Sequence, residues 1–107
     1  MFVAIDAGDW AALGRLYADD CVYQRPGFEV IEGLASLIHF YAELRPIRSG
    51  RHRVSRILKD EAQLCASGRF DGVLKTGAPI GLEFADLYTF RGPLIASRKT
   101  FFFTPLA

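Results

Sequence analysis

Cysteine is scarce: the 107-residue chain has only Cys21 and Cys65. Two thiols build neither a disulfide framework nor a zinc site, and they are expected to be buried and reduced in a cytoplasmic protein. No apolar run approaches the ~20 residues that a membrane helix needs, so no membrane partner is expected. The first residues carry Asp6 and Asp9 where an export signal would be positive, which argues against secretion. A net charge of only +1 gives no general attraction to nucleic acid or to lipid. Glycine-rich phosphate loops, Ser-His-Asp order and metal-ligand spacing are all missing, so neither a metal nor a cofactor is expected.

The chain does have an apolar half and many aromatics: nine phenylalanines, four tyrosines and one tryptophan. That composition belongs to an ordinary globular chain, and the length suits one domain over residues 1–107. Charge is uneven along it. Residues 1–43 hold seven acids and two arginines, whereas residues 44–59 hold Arg45, Arg48, Arg51, Arg53, Arg56 and Lys59 with no acid. Without interleaved aromatics to stack bases, this basic stretch reads as a solvated or subunit-facing strand rather than a nucleic-acid surface.

Phe2 to Ala7 reads as helical, and Gly8 ends it. Asp9 is an N-cap for a helix from Trp10 to Tyr17, in which Trp10, Leu13, Leu16 and Tyr17 keep helical spacing. Cys21 to Arg25 reads as a strand stopped by Pro26-Gly27, and Phe28 to Ile31 as another. Leu34 to Leu44 is the clearest helix, because Leu34, Leu37, Ile38 and Tyr41 form one stripe, and Pro46 stops it. Strands then follow at Arg51 to Lys59, Gln63 to Lys75, Ile80 to Phe90 and Leu94 to Phe103, joined by short turns as a meander. Helices first and strands after give an α+β fold.

Ala7-Gly8-Asp9-Trp10, Leu16-Tyr17-Ala18-Asp19-Asp20-Cys21-Val22, Pro26-Gly27, Glu32-Gly33 and the closing Arg98-Lys99-Thr100-Phe101-Phe102 carry a resemblance over essentially the whole chain. It resembles the SnoaL-like and ketosteroid-isomerase-like proteins of the nuclear transport factor 2 superfamily. The resemblance implies a cone: a strongly curved mixed or antiparallel sheet wrapped round N-terminal helices, with a pocket between them. It also implies a homodimer packed through the outer sheet face, toward which Val54, Leu58, Val73 and Phe101–Phe103 are expected to point. The superfamily hosts isomerases, cyclases, hydrolases and non-catalytic binding modules, so the fold leaves the activity open.

The period of two puts Asp86 on one face with Phe84 and Tyr88. Desolvation there disfavours the ionised carboxyl, and a neutral acid can donate to a developing oxyanion. Asp86 matches the oxyanion-hole aspartate of ketosteroid isomerases on Ala85-Asp86-Leu87-Tyr88-Thr89-Phe90. That family's base aspartate, however, falls where this chain has Arg25, and its helical tyrosine where it has Met1. A second likeness is to limonene-epoxide hydrolase: Arg69-Phe70-Asp71 is similar to its Arg-x-Asp, and Tyr23-Gln24-Arg25 to its Tyr-Gln-Asn, while its second aspartate falls at Phe102. Catalytic candidates are therefore Asp86, Asp71, Arg69 and Tyr23. Trp10, Tyr17, Arg25, Phe40, Phe84, Tyr88 and Phe102 are expected to line a pocket for a small apolar molecule. Arg69 and Asp71 can equally be a structural ion pair, and Asp86 a buried acid without chemistry. His39 lies beside the helical stripe, partly exposed, and His52 in the basic strand is either solvated or within reach of the pocket. The function expected is that of a small-molecule-binding domain acting as an isomerase, cyclase or hydrolase, with a limonene-epoxide-hydrolase-like enzyme or a non-catalytic binding or dimerisation module as alternatives.

Overall fold

Six strands and a short helical layer follow in the order that the sequence implies, although several boundaries move. The computed structural model describes residues 1–103. Helices α1 (Phe2–Ala7) and α2 (Trp10–Gly14) come first, then β1 (Tyr17–Gln24) and β2 (Ile31–Glu32). Next come α3 (Leu34–His39), a π-helical turn over Phe40–Leu44, and the strands β3 (Ile47–Asp60), β4 (Gln63–Leu74), β5 (Pro79–Arg91) and β6 (Leu94–Phe103). One curved, open sheet runs β2-β1-β6-β5-β4-β3, with β1 parallel to β6 and every other pair antiparallel. The fold is the expected α+β one, and among the described residues no helix is long and apolar enough to cross a membrane.

Local chemistry explains the helix ends. Gly8 closes α1 with φ 68°, a left-handed conformation that glycine adopts at little cost, and Asp9 caps α2 by accepting from the Ala12 N–H at 3.0 Å. The second helix stops at Gly14 rather than Tyr17. The Leu16 carbonyl accepts from the Ile95 N–H at 2.8 Å, so pairing with β6 draws the chain into β1 at Tyr17, earlier than the strand start expected at Cys21. Asp19 and Asp20 sit exposed within β1. The segment read as a strand from Phe28 shrinks to the two residues of β2, and β3 begins earlier than expected, at Ile47.

Leu13 and Leu37, both with no exposure, join Ile5, Tyr17, Cys21, Tyr23, Phe40 and Tyr41 in a core between the helical layer and the concave face of the sheet. The alternation of β5 survives folding: Phe84, Asp86 and Tyr88 are all buried on that face. Phe70 on β4 turns the same way. Its ring lies against Gly50 and Gly72, where a Cβ would come within 2.1 Å and 2.9 Å of ring carbons, so the bare backbones leave room for the ring in the wall.

Candidate functional site

Between the concave face and the π-helical turn lies a cavity of about 70 Å³. Tyr23 reaches it from β1 and Arg25 from just beyond that strand, and Tyr41 and Arg45 from the turn and its end. His52, Phe70, Phe84, Asp86, Arg98, Thr100 and Phe102 enter from the four long strands.

Its base is a closed polar network. Asp86 has no solvent exposure, and Arg98 is 4 % exposed. The Asp86 carboxylate accepts from Arg98 Nε at 3.1 Å and Nη2 at 2.9 Å, from the Tyr88 hydroxyl at 2.9 Å and from the Thr100 hydroxyl at 2.5 Å. Thr100 spends its proton on Asp86, so Tyr23 donates to Thr100 across 2.9 Å. The carboxyl is taken up as an acceptor by four donors, not turned to the cavity in the donor role expected at Asp86. The face assignment of Asp86 was legible; its partner Arg98 was not anticipated.

Arg98 also donates from Nη1 to the Tyr41 hydroxyl at 2.6 Å, and its guanidinium lies 4.6 Å from the centre of the Tyr23 ring. Burial holds the Tyr41 phenol well above the usual tyrosine range, so it is neutral and keeps its proton. Burial likewise raises Tyr17, to about 12, and Tyr88. Tyr17 donates to Met1 Sδ, Tyr88 to Asp86 and Tyr23 to Thr100. Tyr41 is thus the one tyrosine whose oxygen accepts from a cation while its own O–H has no protein acceptor among the described residues.

Across the cavity, α1 and β3 bring together two residues that are far apart in sequence. Asp6 Oδ1 meets His52 Nδ1 at 2.6 Å, and Asp6 Oδ2 accepts the His52 backbone N–H at 2.8 Å. The His52 side chain is only 9 % exposed, stacked on Phe2 at 4.4 Å and flanked by Phe70 and Phe84. Burial lowers its pKa below 6.5. The hydrogen bond and charge of Asp6 act in the opposite direction, and Arg98 and Arg45 add to the lowering. At neutral pH the imidazole is therefore uncharged. Its proton belongs on Nδ1, facing the carboxylate, and the Nε2 lone pair is left unused. The acidic start and the basic strand gave no sign of this pair, because its two members belong to different elements.

Not every anticipated residue arrives. Arg69 and Asp71 lie on the outer face, paired with each other at 3.0 Å and about half exposed, opposite in alternation to Phe70. They are not brought to the cavity, and the hydrolase-like set is not assembled there. Tyr88 stands behind Asp86, Tyr17 and Phe40 are core, and Trp10 stacks on the far side of Tyr41 at 6.0 Å, so these four support the wall without lining it. Tyr23, Arg25, Phe84 and Phe102 do line it. Arg45, expected on a solvated strand, is instead 8 % exposed and turned into the cavity, while His39 is exposed. Among the described residues, no three His, Cys, Asp or Glu gather as metal ligands.

The family model described as SnoaL-like domain matches residues 1–98. No curated protein matches the chain. Solved structures do. A nuclear transport factor 2-like protein of unknown function from Burkholderia pseudomallei superposes with a TM-score of 0.87 at 14 % identity, over 95 % of this chain and 84 % of that one. A protein with a ketosteroid isomerase-like fold from Catenulispora acidiphila, in complex with trimethylamine, gives 0.83 at 19 % identity, over 94 % and 79 %. An epoxide hydrolase of the limonene-epoxide-hydrolase-like kind from M. tuberculosis gives 0.82 at 16 % identity, over 95 % and 76 %. At such identities the likeness fixes the fold alone.

Proposed function

Because the chain belongs to the SnoaL-like domain family, we propose that it is an acid–base enzyme working on a small molecule in the concave pocket, with His52 as general base. The observation that carries this reading is the pair of contacts from Asp6 to His52, 2.6 Å to the ring and 2.8 Å to the backbone. Two contacts fix both the tautomer and the orientation of a buried neutral imidazole, the arrangement that general-base catalysis needs near pH 7.

Tyr41 supplies the complementary acid. Its hydroxyl is polarised by Arg98 Nη1 at 2.6 Å and retains a free proton. The chemistry that fits is proton removal next to a carbonyl. His52 Nε2 takes the proton from carbon, the C–H electron pair moves into the C–C–O system, and the oxygen that gains charge is held by the Tyr41 O–H. Returning the proton to another carbon completes an isomerisation, and expelling a neighbouring leaving group completes an elimination. Asp86 touches no reacting atom in this scheme. It is a positioning residue that holds Arg98 and Thr100. Apolar walls from Phe70, Phe84 and Phe102 suit a largely apolar substrate body.

Residues 1–107 would act as one domain, in a homodimer formed through the outer sheet face. Cys21 and Cys65 are both free thiols, which suits the reducing cytoplasm.

The test is solvent exchange. Small enolisable ketones and keto acids are incubated in D2O with wild type and with H52Q, and deuterium at the α-carbon is followed by proton NMR. Wild type is expected to accelerate exchange of at least one compound, and H52Q to lose at least a hundredfold of that acceleration. Compounds that bind without any accelerated exchange would make the pocket a binding module and overturn the enzymatic reading.

A further inference from the structure

Two arginines of this cavity have no salt-bridge partner among the described residues. Arg25 just beyond β1 and Arg45 at the end of the π-helical turn both line it. The Nε of each is buried without a hydrogen-bond partner among the described residues. Arg45 is 8 % exposed, so its guanidinium has given up most of its hydration.

Aromatic rings surround both groups. Arg25 lies 5.2 Å from the Phe40 ring centre, 5.4 Å from Phe28 and 5.5 Å from Phe102. Arg45 lies 5.3 Å from Tyr41 and 5.5 Å from Phe70. Ring faces attract a cation but do not accept its N–H groups in the plane of the fork, and the unpartnered Nε atoms lie in that plane. The other buried arginine, Arg98, makes the contrast plain: it has Asp86 and Tyr41 for its donors. Burial pulls the pKa of Arg45 down and the charge of Arg25 acts in the same direction, so the two cations are close enough to repel each other.

Two guanidiniums, Arg45 buried and Arg25 partly buried, that repel each other and keep unused in-plane donors are a receptor for a small planar anion. We propose that Arg25 and Arg45 form a carboxylate clamp and that the substrate of this pocket is a small organic acid with an apolar body. The clamp shares its cavity with His52 and Tyr41, so this rests on the catalytic reading above for its purpose but not for its binding energy. A carboxylate held there presents the rest of the molecule to Phe70, Phe84 and Phe102, and its carbonyl side to Tyr41. A cavity of about 70 Å³ takes a carboxylate and a few more atoms, and excludes a steroid-sized body unless the pocket opens.

The probe is 2-oxobutanoate, with its methyl ester as the uncharged control and inorganic phosphate as the competing anion. Binding is followed by chemical-shift titration of wild type, R25M, R45M and R69M. The acid is expected to bind wild type at least tenfold more tightly than the ester, R25M and R45M each to lose at least tenfold for the acid alone, and R69M, on the outer face, to keep the affinity. R45M, stripped of an uncompensated buried charge, is expected to melt no lower than wild type without ligand, and to lose the rise in Tm that 2-oxobutanoate gives wild type. Ester binding as tight as acid, or acid binding unchanged in both arginine variants, overturns the clamp. Phosphate binding more tightly than the acid overturns the carboxylate assignment. Loss of exchange in H52Q is read separately, so the clamp can fail while the base stands, and the base can fail while the clamp stands.

Discussion

Asp6 holds His52 from two sides: one carboxylate oxygen takes the ring Nδ1 at 2.6 Å and the other the backbone N–H at 2.8 Å, across 46 positions of sequence. The ring cannot turn without breaking the first contact, and β3 cannot slide along α1 without breaking the second. The pair therefore ties the helical layer to the sheet and aims a base at the cavity. Because burial lowers the His52 pKa below 6.5, the unfolded chain binds a proton more readily than the folded one. The resulting contribution to stability is fully present above pH 6.5 and is lost as pH falls below it toward the folded pKa. Chemical denaturation from pH 7.5 downward is expected to show stability falling with pH in wild type, with a shallower slope in H52Q. In D6N, which removes the influence that raises the His52 pKa, nitrogen-detected NMR should find its midpoint lower still.

Two ion pairs of the sheet differ in what they contribute. Arg98 and Asp86 are buried, and removing one partner leaves an uncompensated charge, so D86A is expected to cost about 3–5 kcal/mol. Arg69 and Asp71 pair on the outer face with side chains 54 % and 48 % exposed, so R69A is expected to change stability by less than ~1 kcal/mol. Urea unfolding of both variants checks the contrast; equal effects would mean that Asp86 is not held as described.

Sequence periodicity revealed the faces and little of the pairing across them. The alternation of β5 placed Phe84, Asp86 and Tyr88 together, and the stripe Leu34, Leu37, Ile38 and Tyr41 placed α3, because each element repeats with its own period. Arg98, Thr100 and Asp6 were invisible as site residues. Each earns its place by a contact to another element, at separations of 12, 14 and 46 residues, and local spacing carries no such information. Arg45 was concealed differently. It is one of six cations in a basic run, and only the π-helical turn, closed by the Arg45 N–H to the Phe40 carbonyl at 2.8 Å, rotates it inward. Arg69 and Asp71 failed by parity: Phe70 between them faces the cavity, so both face away.

The packing of α3 on the sheet can be tested at Leu37, which has no exposure. L37A deletes buried methyl groups and leaves a void, at a cost of about 2–5 kcal/mol. A melting temperature close to that of wild type would mean that this helix does not pack as described.

Assembly is tested on the convex face. Leu58, Leu87, Phe101 and Phe103 are 63, 48, 44 and 76 % exposed there, and such a patch favours a second copy. Val54, also expected on this face, pairs with Gly68 in the register that points inward and is replaced in the patch by Leu87. Sedimentation is expected to find a dimer at micromolar concentration and a monomer for F103D. A wild-type monomer of 11.9 kDa overturns the dimer.

Tyr41 is the residue at which binding and chemistry can be separated. Its oxygen takes Arg98 Nη1 at 2.6 Å, and its phenol, raised well above its usual range by burial, does not ionise below pH 10. Y41F removes the one tyrosine O–H free to donate while keeping the ring that packs on Trp10 and Tyr23 and lies over Arg45. It also leaves one N–H of Arg98 without its acceptor, at a cost of about 1–3 kcal/mol in stability. If the hydroxyl stabilises charge only as it develops, Y41F lowers kcat for α-carbon exchange by about 10²–10³ while the affinity for the ground-state acid changes little. If the hydroxyl merely holds the ligand, affinity falls and the exchange rate of bound ligand stays the same. Arg98 and Asp86 keep their own contacts in this variant, so R98K serves as the control: it keeps a positive charge but shortens the reach to Tyr41, and should lower exchange only if polarisation of the phenol matters. A Y41F protein that exchanges at the wild-type rate would remove Tyr41 from the mechanism and leave His52 acting without an acid.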